Sequence, residues 1–323
     1  MYGFAQQLRH YFERPHVAMP SARVGGAAAW TGAALAKSGA WREELAEDQI
    51  AELMQAVDRA TALGRPASEL TRGDFPLPKL AAAAKRWRVA LGEGRGFVLV
   101  RGFPVARWSQ PQAELGFWGL GLALGMPGAQ NAEGDLLGHV SDLSAQAEHP
   151  DERLYRTHRR ILFHCDATDV VGLLCLRSAP EGGISRLVSS VTVFDELLAR
   201  SPELAARLCE PMLLDSRLPA GAPHPTTPVR PCCFDGERLR SFMHLDYFRS
   251  TERHPGTVLD PLARKALDAW EAIAERPEIH LDMQLEPGDL QLVSNHGVVH
   301  ARTSYVDDPA SPRHLLRLWL SLV

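Results

Sequence analysis

One short segment of this 323-residue chain places an imidazole and a carboxylate two positions apart. The segment reads His164-Cys165-Asp166 and continues an apolar run, RILF, that is typical of a buried strand. In a strand, residues i and i+2 project from the same face, so His164 and Asp166 can lie side by side while Cys165 faces away. The spacing therefore predicts that one strand supplies two metal ligands.

A third imidazole, brought by a distant strand, would complete a face of two histidines and one carboxylate. Such a face leaves positions of an octahedral Fe(II) ion open, which suits a bidentate 2-oxo acid together with O₂. His300, in the segment SNHGVVHARTSY, is the predicted third ligand. His296 competes for this role, but it would be chosen only with a shifted strand register.

A co-substrate with a second carboxylate also requires a cation, and the C-terminal segment offers two. The run RHLLRLWL is strand-like, and one of its faces carries Arg313, Leu315, Arg317 and Trp319. A guanidinium is a planar fork that forms two charge-assisted hydrogen bonds with a carboxylate. The apolar neighbours favour a partly buried face, where an unpaired charge is costly and a partner is expected. The alternative is a solvated or salt-bridged edge strand.

The chain contains a second His-x-Asp segment, His244-Leu245-Asp246. The first such segment is preferred as the metal site, because an apolar strand precedes it and a Gly-Gly turn with a serine follows it. The second is flanked by Arg240 and Arg249 and has no such continuation. For His244 and Asp246 a structural or surface role is therefore favoured over a place in the substrate pocket.

The elements that must position these residues are mostly short strands. From about residue 155 the chain reads RILFHCDA, VVGLLCLRSAP, a turn at Glu181-Gly182-Gly183, and ISRLVSSVTV. It ends with HLDMQLEPGDLQLVSNHGVVHARTSY and PRHLLRLWLSLV, and an earlier strand begins near Gly94. Short strands separated by turns favour a sandwich or jelly roll over a doubly wound sheet.

Helices are predicted over about 44–63, 192–208 and 260–275, the second with a capping box formed by Thr192 and Asp195 and with a restart at Ser201-Pro202-Glu203. No low-complexity linker divides the chain, so one domain over 1–323 is expected. Within it, residues 1–93 form a mostly helical region that packs on the core, and residues 94–323 form the core with helical insertions. The N-terminal segment and the loop at 219–231 are expected to shape a lid.

Composition narrows the class of partner. A formal net charge of −4 with interleaved signs gives no basic stripe, so neither nucleic acid nor an anionic membrane is expected as a partner. The expected partner is a small-molecule substrate. The N-terminus has no apolar run behind a basic flank, and the chain has no apolar run long enough to span a membrane, which favours the cytoplasm. Reduced thiols are expected for Cys165, Cys175, Cys209, Cys232 and Cys233.

Four segments together resemble the TauD/TfdA-like (clavaminate synthase-like) family of Fe(II)/2-oxoglutarate dioxygenases. They are HCD, GGIS ending at Ser185, NHGVVHARTSY and RHLLRLWL. The resemblance covers about residues 94–323, and the first 90 residues match loosely. It implies a double-stranded β-helix, or jelly roll, that is mainly β with flanking helices. It also implies that the iron is held by His164, Asp166 and His300.

The resemblance further implies that Arg313 and Ser185 bind the distal carboxylate of 2-oxoglutarate, with Arg317 near the oxo-acid end or the substrate. The His-x-Arg of the family is present at Arg302, although Arg302 could equally pair with a carboxylate on the surface. The intact Asp166 disfavours halogenation, because related halogenases have a small residue there.

The function so implied is hydroxylation of a small organic substrate, such as an amino acid or natural-product intermediate, with release of succinate and CO₂. Desaturation and cyclisation are alternative outcomes of the same chemistry. A further basic residue (Arg317, Arg302 or Arg159) would suit an acidic or amino-acid-like substrate. The rivals from other classes are a non-catalytic jelly-roll binding or sensor protein and a zinc hydrolase, which would leave Arg313 unexplained.

Overall fold

The structure, a computed structural model, describes residues 1–142, 157–217 and 223–322. The expected lid at 219–231 therefore lies partly outside the described residues. The helices are α1 Phe4–Phe12, α2 Gly32–Ser38, α3 Glu47–Leu63, α4 Pro78–Gly92, α5 Gln110–Leu124, α6 Ser190–Arg200, α7 Pro202–Leu208, α8 Leu245–Arg249 and α9 Pro261–Ala274.

The strands are short, as the spacing of turn residues predicts. Up to residue 189 they are β1 Arg42–Glu44, β2 Phe97–Arg101, β3 Met126–Gly128, β4 Leu137–Val140, β5 Ile161–His164, β6 Val170–Arg177, β7 Glu181–Gly182 and β8 Ser185–Ser189. The later strands are β9 Met212–Asp215, β10 Thr226–Val229, β11 Cys232–Phe234, β12 Leu239–Ser241, β13 Leu281–Met283, β14 Leu290–Ser294, β15 Val298–Arg302, β16 Tyr305–Val306 and β17 His314–Ser321.

Two sheets form the centre of the molecule. The larger has seven strands in the order β1-β2-β14-β6-β17-β3, with β4 also paired to β17. The smaller has four strands in the order β13-β8-β15-β5. Every pairing within these sheets is antiparallel except that of β1 with β2. The sequence-based preference against a doubly wound parallel sheet is therefore confirmed, and the fold is mixed and sheet-rich.

The two sheets face each other across an apolar layer. The larger sheet contributes Phe97, Leu99, Val171, Val293 and Leu315, and the smaller contributes Leu187, Leu281, Met283 and Val298. Helices α3, α4 and α5 pack on the outer face of the larger sheet, and α6 to α9 pack on that of the smaller. Side chains alternate between the two faces of β17. Its even-numbered leucines contact the helices, whereas Leu315 and Trp319 point between the sheets.

All three stretches predicted to be helical contain helices in the structure. Helix α3 ends at Leu63 as predicted, with Gly64 in the left-handed region at φ +63°. Helix α9 occupies the predicted stretch. The stretch predicted over 192–208 is two helices, α6 and α7, and the break between them at Ser201 lies where Ser201-Pro202-Glu203 predicts a restart.

The capping box predicted at Thr192 is wrong, because α6 begins two residues earlier. Ser189 is the N-cap, and its hydroxyl accepts a hydrogen bond from the backbone N of Thr192 at 3.0 Å. The carboxylate of Asp195 is buried and accepts from the backbone N of Val24 at 2.7 Å and of Gly25 at 3.0 Å. Asp195 therefore fixes the N-terminal segment on α6 and does not cap the helix.

All five cysteines are buried and unpaired, as expected from their number and spacing. Within the described ranges, no helix is both long and apolar enough to cross a membrane.

Candidate active site

The smaller sheet brings together two segments that are far apart in sequence. His164 is the last residue of β5, and His300 lies opposite it in the register of β15 with β5. The ring centroids of these two histidines are 4.3 Å apart. Asp166 lies just beyond the end of β5, and its Oδ2 is 3.9 Å from Nε2 of His300. The potential ligand atoms of the three residues all lie within 4.8 Å of one another.

The side chain between the two predicted ligands points away, as a strand requires. The Cys165 thiol is buried in the apolar core behind the smaller sheet. Its backbone N donates to the carbonyl of Met243 at 2.7 Å, and its Sγ lies 3.8 Å from the carbonyl of Val298. Burial raises the pKa of this thiol to about 12, so it is a neutral part of the core.

Hydrogen bonding selects the nitrogen of His164 that is available to a metal. Its Nδ1 lies 2.9 Å from the backbone carbonyl of Leu162, and because a carbonyl only accepts, Nδ1 carries the proton. The lone pair is therefore on Nε2, the arrangement usual for a metal-bound histidine. Nδ1 of His300 is buried and has no hydrogen-bond partner among the residues that the structure describes.

The charge states suit a divalent cation. Burial, followed by the neighbouring His164, lowers the pKa of His300 to about 3, so its imidazole is neutral at pH 7. Burial alone would raise the pKa of Asp166, but the charge of the Arg317 guanidinium holds it below its ordinary value. His300 thus presents a neutral nitrogen and Asp166 an ionised carboxylate, donor types that non-haem Fe(II) centres use and that zinc also accepts.

A pocket extends from these three side chains between the two sheets. It is mostly apolar at its walls and carries three arginines. The lining is formed by Val140, Ile161, His164, Asp166, Val171, Leu173, Ser185, Leu285, His300, Ala301, Arg302, Arg313, Leu315 and Arg317. All six residues singled out from the sequence, the three candidate ligands together with Ser185, Arg313 and Arg317, therefore line one pocket.

Arg317 lies beside the carboxylate of Asp166, at the end of the pocket that contains the candidate metal ligands. Its Nη1 is 3.8 Å from Oδ1 of Asp166, and its Nε donates to Oε1 of Gln130 at 2.7 Å. The Gln130 amide in turn donates to the backbone carbonyl of Arg317 at 2.9 Å. Gln130 was not identified from the sequence, since a single glutamine has no spacing that marks such a contact.

Arg313 occupies another part of the pocket and is only 5% exposed. Its guanidinium carbon is 5.1 Å from the ring centroid of Tyr305, and its Nη1 is buried without a hydrogen-bond partner in the described ranges. A Cβ on Gly183 would come within 3.1 Å of its Nε, and Gly183 has φ +66°. The Gly-Gly turn therefore allows the backbone to pass close to this guanidinium.

Ser185 begins β8 and is buried in the pocket wall. Its hydroxyl accepts from Nε2 of Gln291 at 2.9 Å and lies 3.1 Å from Oε1 of the same side chain. Gln291, on the neighbouring larger sheet, is a second polar residue that sequence reasoning missed.

The interpretation of Arg302 as a surface residue is wrong. Arg302 is 7% exposed, and its Nη2 donates to the backbone carbonyls of Thr157, at 2.6 Å, and of Arg159. It follows His300 by two positions in β15, and both side chains line the pocket. The strand alternation that carries His300 into the site thus carries Arg302 there as well.

His296 does not join the group of potential metal ligands. Its Nε2 is 2.8 Å from Oδ1 of Asp169, whose other oxygen is 2.8 Å from Nε2 of His10 in α1. The Asp169 carboxylate also accepts from the backbone N of Leu322 at 2.9 Å. This cluster joins both ends of the chain to the smaller sheet, so His296 has a structural place.

Asn295 supports the backbone of the candidate site. It is fully buried, and its Oδ1 accepts from the backbone N of Asp166 at 3.1 Å. Its Nδ2 donates to the carbonyl of Thr168 at 3.0 Å. These two bonds fix the turn that follows β5, and the sequence offered no signal for them beyond the proximity of Asn295 to His300.

His244 lies next to the candidate site and not on the open surface. It forms an isolated antiparallel bridge with His164, with ring centroids 5.4 Å apart. The ring of Tyr247 stacks on that of His244, with centroids 3.6 Å apart. A surface role is therefore wrong for His244, whereas a structural role remains compatible. Asp246, in α8, is half-buried and outside the group of potential ligands.

The facing sheets and the two-histidine, one-carboxylate group define the general class of a mononuclear metal enzyme. The model of the taurine catabolism dioxygenase TauD, TfdA family matches residues 60–319. The chain belongs to this family. It is a dioxygenase that depends on Fe(II) and 2-oxoglutarate, consumes O₂ and acts on a small molecule. This membership weighs against both the zinc hydrolase and the non-catalytic sensor.

Named relatives agree with the family. FR-33289 synthase of Streptomyces rubellomurinus is 30% identical over 306 residues, spanning 93% of this chain and 90% of that protein. Taurine hydroxylase-like protein SAT17 of Stachybotrys chartarum is 28% identical over 287 residues, spanning 85% and 73%. A uridine-5'-phosphate dioxygenase from an Amycolatopsis species is 27% identical over 243 residues, spanning 70% and 84%.

Solved structures agree on the fold. Asparagine oxygenase in complex with Fe(II), 2S,3S-3-hydroxyasparagine and succinate superposes with a TM-score of 0.68 at 18% identity, covering 87% of this chain and 94% of that one. The non-heme iron oxygenase OrfP in complex with Fe and alpha-ketoglutaric acid gives 0.65 at 15% identity, with the same coverage.

Proposed function

We propose that His164, Asp166 and His300 hold the catalytic Fe(II) of this dioxygenase. The observation that carries the assignment is the convergence of their ligand atoms within 4.8 Å, from segments more than 100 residues apart. The proton on Nδ1 of His164 and the low pKa of His300 leave both imidazoles ready to donate a lone pair. The ionised Asp166 completes the set.

Bound there, the iron supplies oxidative chemistry, in which O₂ and 2-oxoglutarate yield succinate, CO₂ and an oxidised substrate. The protein's own residues orient and shield this reaction. Arg317 keeps Asp166 ionised, and Gln130 fixes the Arg317 guanidinium. Leu173 and Leu285 contribute apolar wall to the pocket.

The proposed site for the distal carboxylate of 2-oxoglutarate is Arg313 with Ser185. Arg313 is buried, its Nη1 has no hydrogen-bond partner in residues 1–142, 157–217 and 223–322, and Ser185 lines the same pocket. Arg317 is proposed to contact the oxo-acid end or the substrate, because it lies against the Asp166 carboxylate.

The proposed substrate is a small acidic or amino-acid-like molecule, such as a natural-product intermediate, and hydroxylation is the proposed outcome. Arg317 lines the pocket beside Asp166, away from the proposed distal-carboxylate site, and supports an anionic group on the substrate. The names of similar proteins point the same way, since one acts on uridine-5'-phosphate and others were solved with hydroxylated asparagine or arginine. Desaturation and cyclisation remain alternative outcomes of the same oxidation.

For the fold, we propose a double-stranded β-helix within a single domain over 1–323. The support is a pair of antiparallel sheets facing each other, with the candidate site between them and helices outside. A cytoplasmic protein with no nucleic-acid or membrane partner is proposed from the balanced charge.

The test is succinate formation by protein loaded with Fe(II) under anaerobic conditions and then given 2-oxoglutarate, O₂ and pools of candidate acids and amino acids. Wild type is expected to form succinate above the Asp166→Ala variant, and the pool that raises the rate identifies the substrate class. Asp58→Ala, which removes an exposed carboxylate on α3, is the matched control and is expected to match wild type. Equal succinate from Asp166→Ala and wild type would overturn the ligand assignment.

A further inference from the structure

The nitrogens of the Arg302 guanidinium differ in their hydrogen bonding. Its Nη2 is fixed by the backbone carbonyls of Thr157 and Arg159. Its Nε and Nη1 are buried, and neither has a hydrogen-bond partner in the part of the chain that the structure describes. Unsatisfied buried donors on a charged group are costly, so this edge is expected to meet a ligand that accepts hydrogen bonds.

A second buried guanidinium lies close by. The ring of Tyr305 is 4.8 Å from the guanidinium carbon of Arg302 and 5.1 Å from that of Arg313. Burial, followed by the positive charge of Arg313, lowers the pKa of Arg302 to about 10. Arg302 and Arg313 are therefore two neighbouring cations that raise each other's cost of burial.

Within the described ranges, no carboxylate forms an ion pair with Arg302 or Arg313. The carboxylates that act on their pKa values, Asp142 and Asp307, contact other groups. Asp142 lies 2.9 Å from His158, and Asp307 accepts from the backbone N of Arg313 at 2.6 Å. Two buried cations without a counterion among the described residues are expected to meet an anion.

The position of this pair identifies which anion fits. Arg302 lies opposite Ser185 in the register of β15 with β8, and Arg302, Arg313 and Ser185 all line the pocket. Arg317, in contrast, lies beside Asp166. The pair is thus at the proposed distal-carboxylate end of 2-oxoglutarate.

We propose that Arg302 is a second binding residue for the distal carboxylate of 2-oxoglutarate, so that two guanidiniums share one carboxylate. Arg302 offers Nε and Nη1, Arg313 offers Nη1, and the Tyr305 ring holds both guanidiniums in place. This inference rests on the proposed function. Its consequence is strong discrimination between oxo acids with and without a distal carboxylate.

The experiment compares two ligands of the anaerobic Fe(II)-loaded protein. 2-Oxoglutarate carries the distal carboxylate, and 2-oxobutyrate has the same oxo-acid head without it. Dissociation constants for both are measured by equilibrium dialysis with wild type, Arg302→Gln, Arg302→Lys and Arg160→Gln. Arg160 is an exposed arginine that pairs with Glu275 and serves as the matched control.

Arg302→Gln is expected to weaken 2-oxoglutarate by about 10- to 100-fold, the loss of one or two charge-assisted hydrogen bonds. Its affinity for 2-oxobutyrate is expected to stay within about 3-fold of wild type, and Arg160→Gln is expected to change neither. A double variant with Arg313→Gln should lose less than the two single losses combined, because both residues bind one group.

Unchanged 2-oxoglutarate affinity in Arg302→Gln, or an equal loss for both acids, would overturn the inference and leave Arg302 with a structural role. Should the glutamine variant fail to fold, judged by circular dichroism, the charge-retaining Arg302→Lys is read in the same way. A lowered preference for 2-oxoglutarate supports the inference, and an unchanged preference overturns it. If wild type binds neither acid, the proposed function itself fails, which is a separate outcome.

Discussion

The two ends of the pocket differ in how their buried charges are compensated. At the metal end, the Asp166 carboxylate is compensated within the protein by Arg317, which Gln130 holds in turn. At the other end, Arg302 and Arg313 are buried beside each other with donors that have no hydrogen-bond partner among the described residues. The first end is suited to a cation, and the second is proposed to bind an anion. On this proposal, a bound dianionic co-substrate is part of the electrostatic balance of the fold.

The largest effect is expected at the metal end. Replacing His300 with alanine removes one of three proposed ligands, and turnover should fall by more than the roughly 10- to 100-fold that is typical of residues around the ligands. Succinate production and iron content after desalting measure the loss. Near-normal values for both would show that another side chain completes the site, and His296→Ala would then be the next variant to assay.

The next effect tests the anion end. Arg313→Gln should weaken 2-oxoglutarate by roughly 2 to 5 kcal/mol, on the order of 30-fold to several thousand-fold, because a buried carboxylate loses its charged partner. Titration of the anaerobic Fe(II) protein measures it. Arg177→Gln serves as a comparison, since that arginine lies on β6 and its Nε donates to the carbonyl of Pro312 outside the pocket lining. An unchanged affinity in Arg313→Gln would transfer the role to Arg317 or Arg302.

The sequence predicted most of the charged residues at both ends and few of their supports. Strand alternation is a periodic signal, so it predicts His164 and Asp166 as neighbours, whereas His300 is placed beside them by the need for a third ligand and by the family resemblance. The amide side chains that hold the charges carry no such signal. Gln130 meets Arg317 across 187 positions of sequence, because β3 and β4, which flank Gln130, both pair with β17 in the fold.

The errors have the same physical origin. Thr192 and Asp195 match a capping box by spacing alone, but the helix begins at Ser190 because Ser189 is the better-placed cap. A surface position for Arg302 is one of two alternatives that the sequence leaves open, because the end of a strand can face solvent or core. In the structure, residues 157–159 cover Arg302. Local patterns predict elements, whereas burial depends on what packs over them.

A smaller effect is expected when the hydrogen bonds that position Asp166 are removed. Asn295→Ala removes the acceptor for the backbone N of Asp166 and the donor to Thr168. Iron affinity should fall by about 10- to 100-fold, with 2-oxoglutarate selectivity over 2-oxobutyrate unchanged. A change in that selectivity with iron affinity intact would contradict a positioning role. Thermal unfolding of the apoprotein checks that the variant remains folded.

The smallest expected effect on turnover concerns Asp169, which lies behind the metal end. Burial opposes its ionisation, but hydrogen bonds from His296 and His10 lower its pKa to about 2. Because this pKa is below the value of about 3.9 in the unfolded chain, the ionised Asp169 stabilises the fold above about pH 4, and this stabilisation is lost as the pH falls towards about 2. Asp169→Asn should therefore lower the free energy of unfolding by roughly 2 kcal/mol at pH 7, and the difference from wild type should shrink below about pH 4. Urea unfolding across this pH range measures both. A difference that does not depend on pH would mean that Asp169 acts through packing and not through its charge.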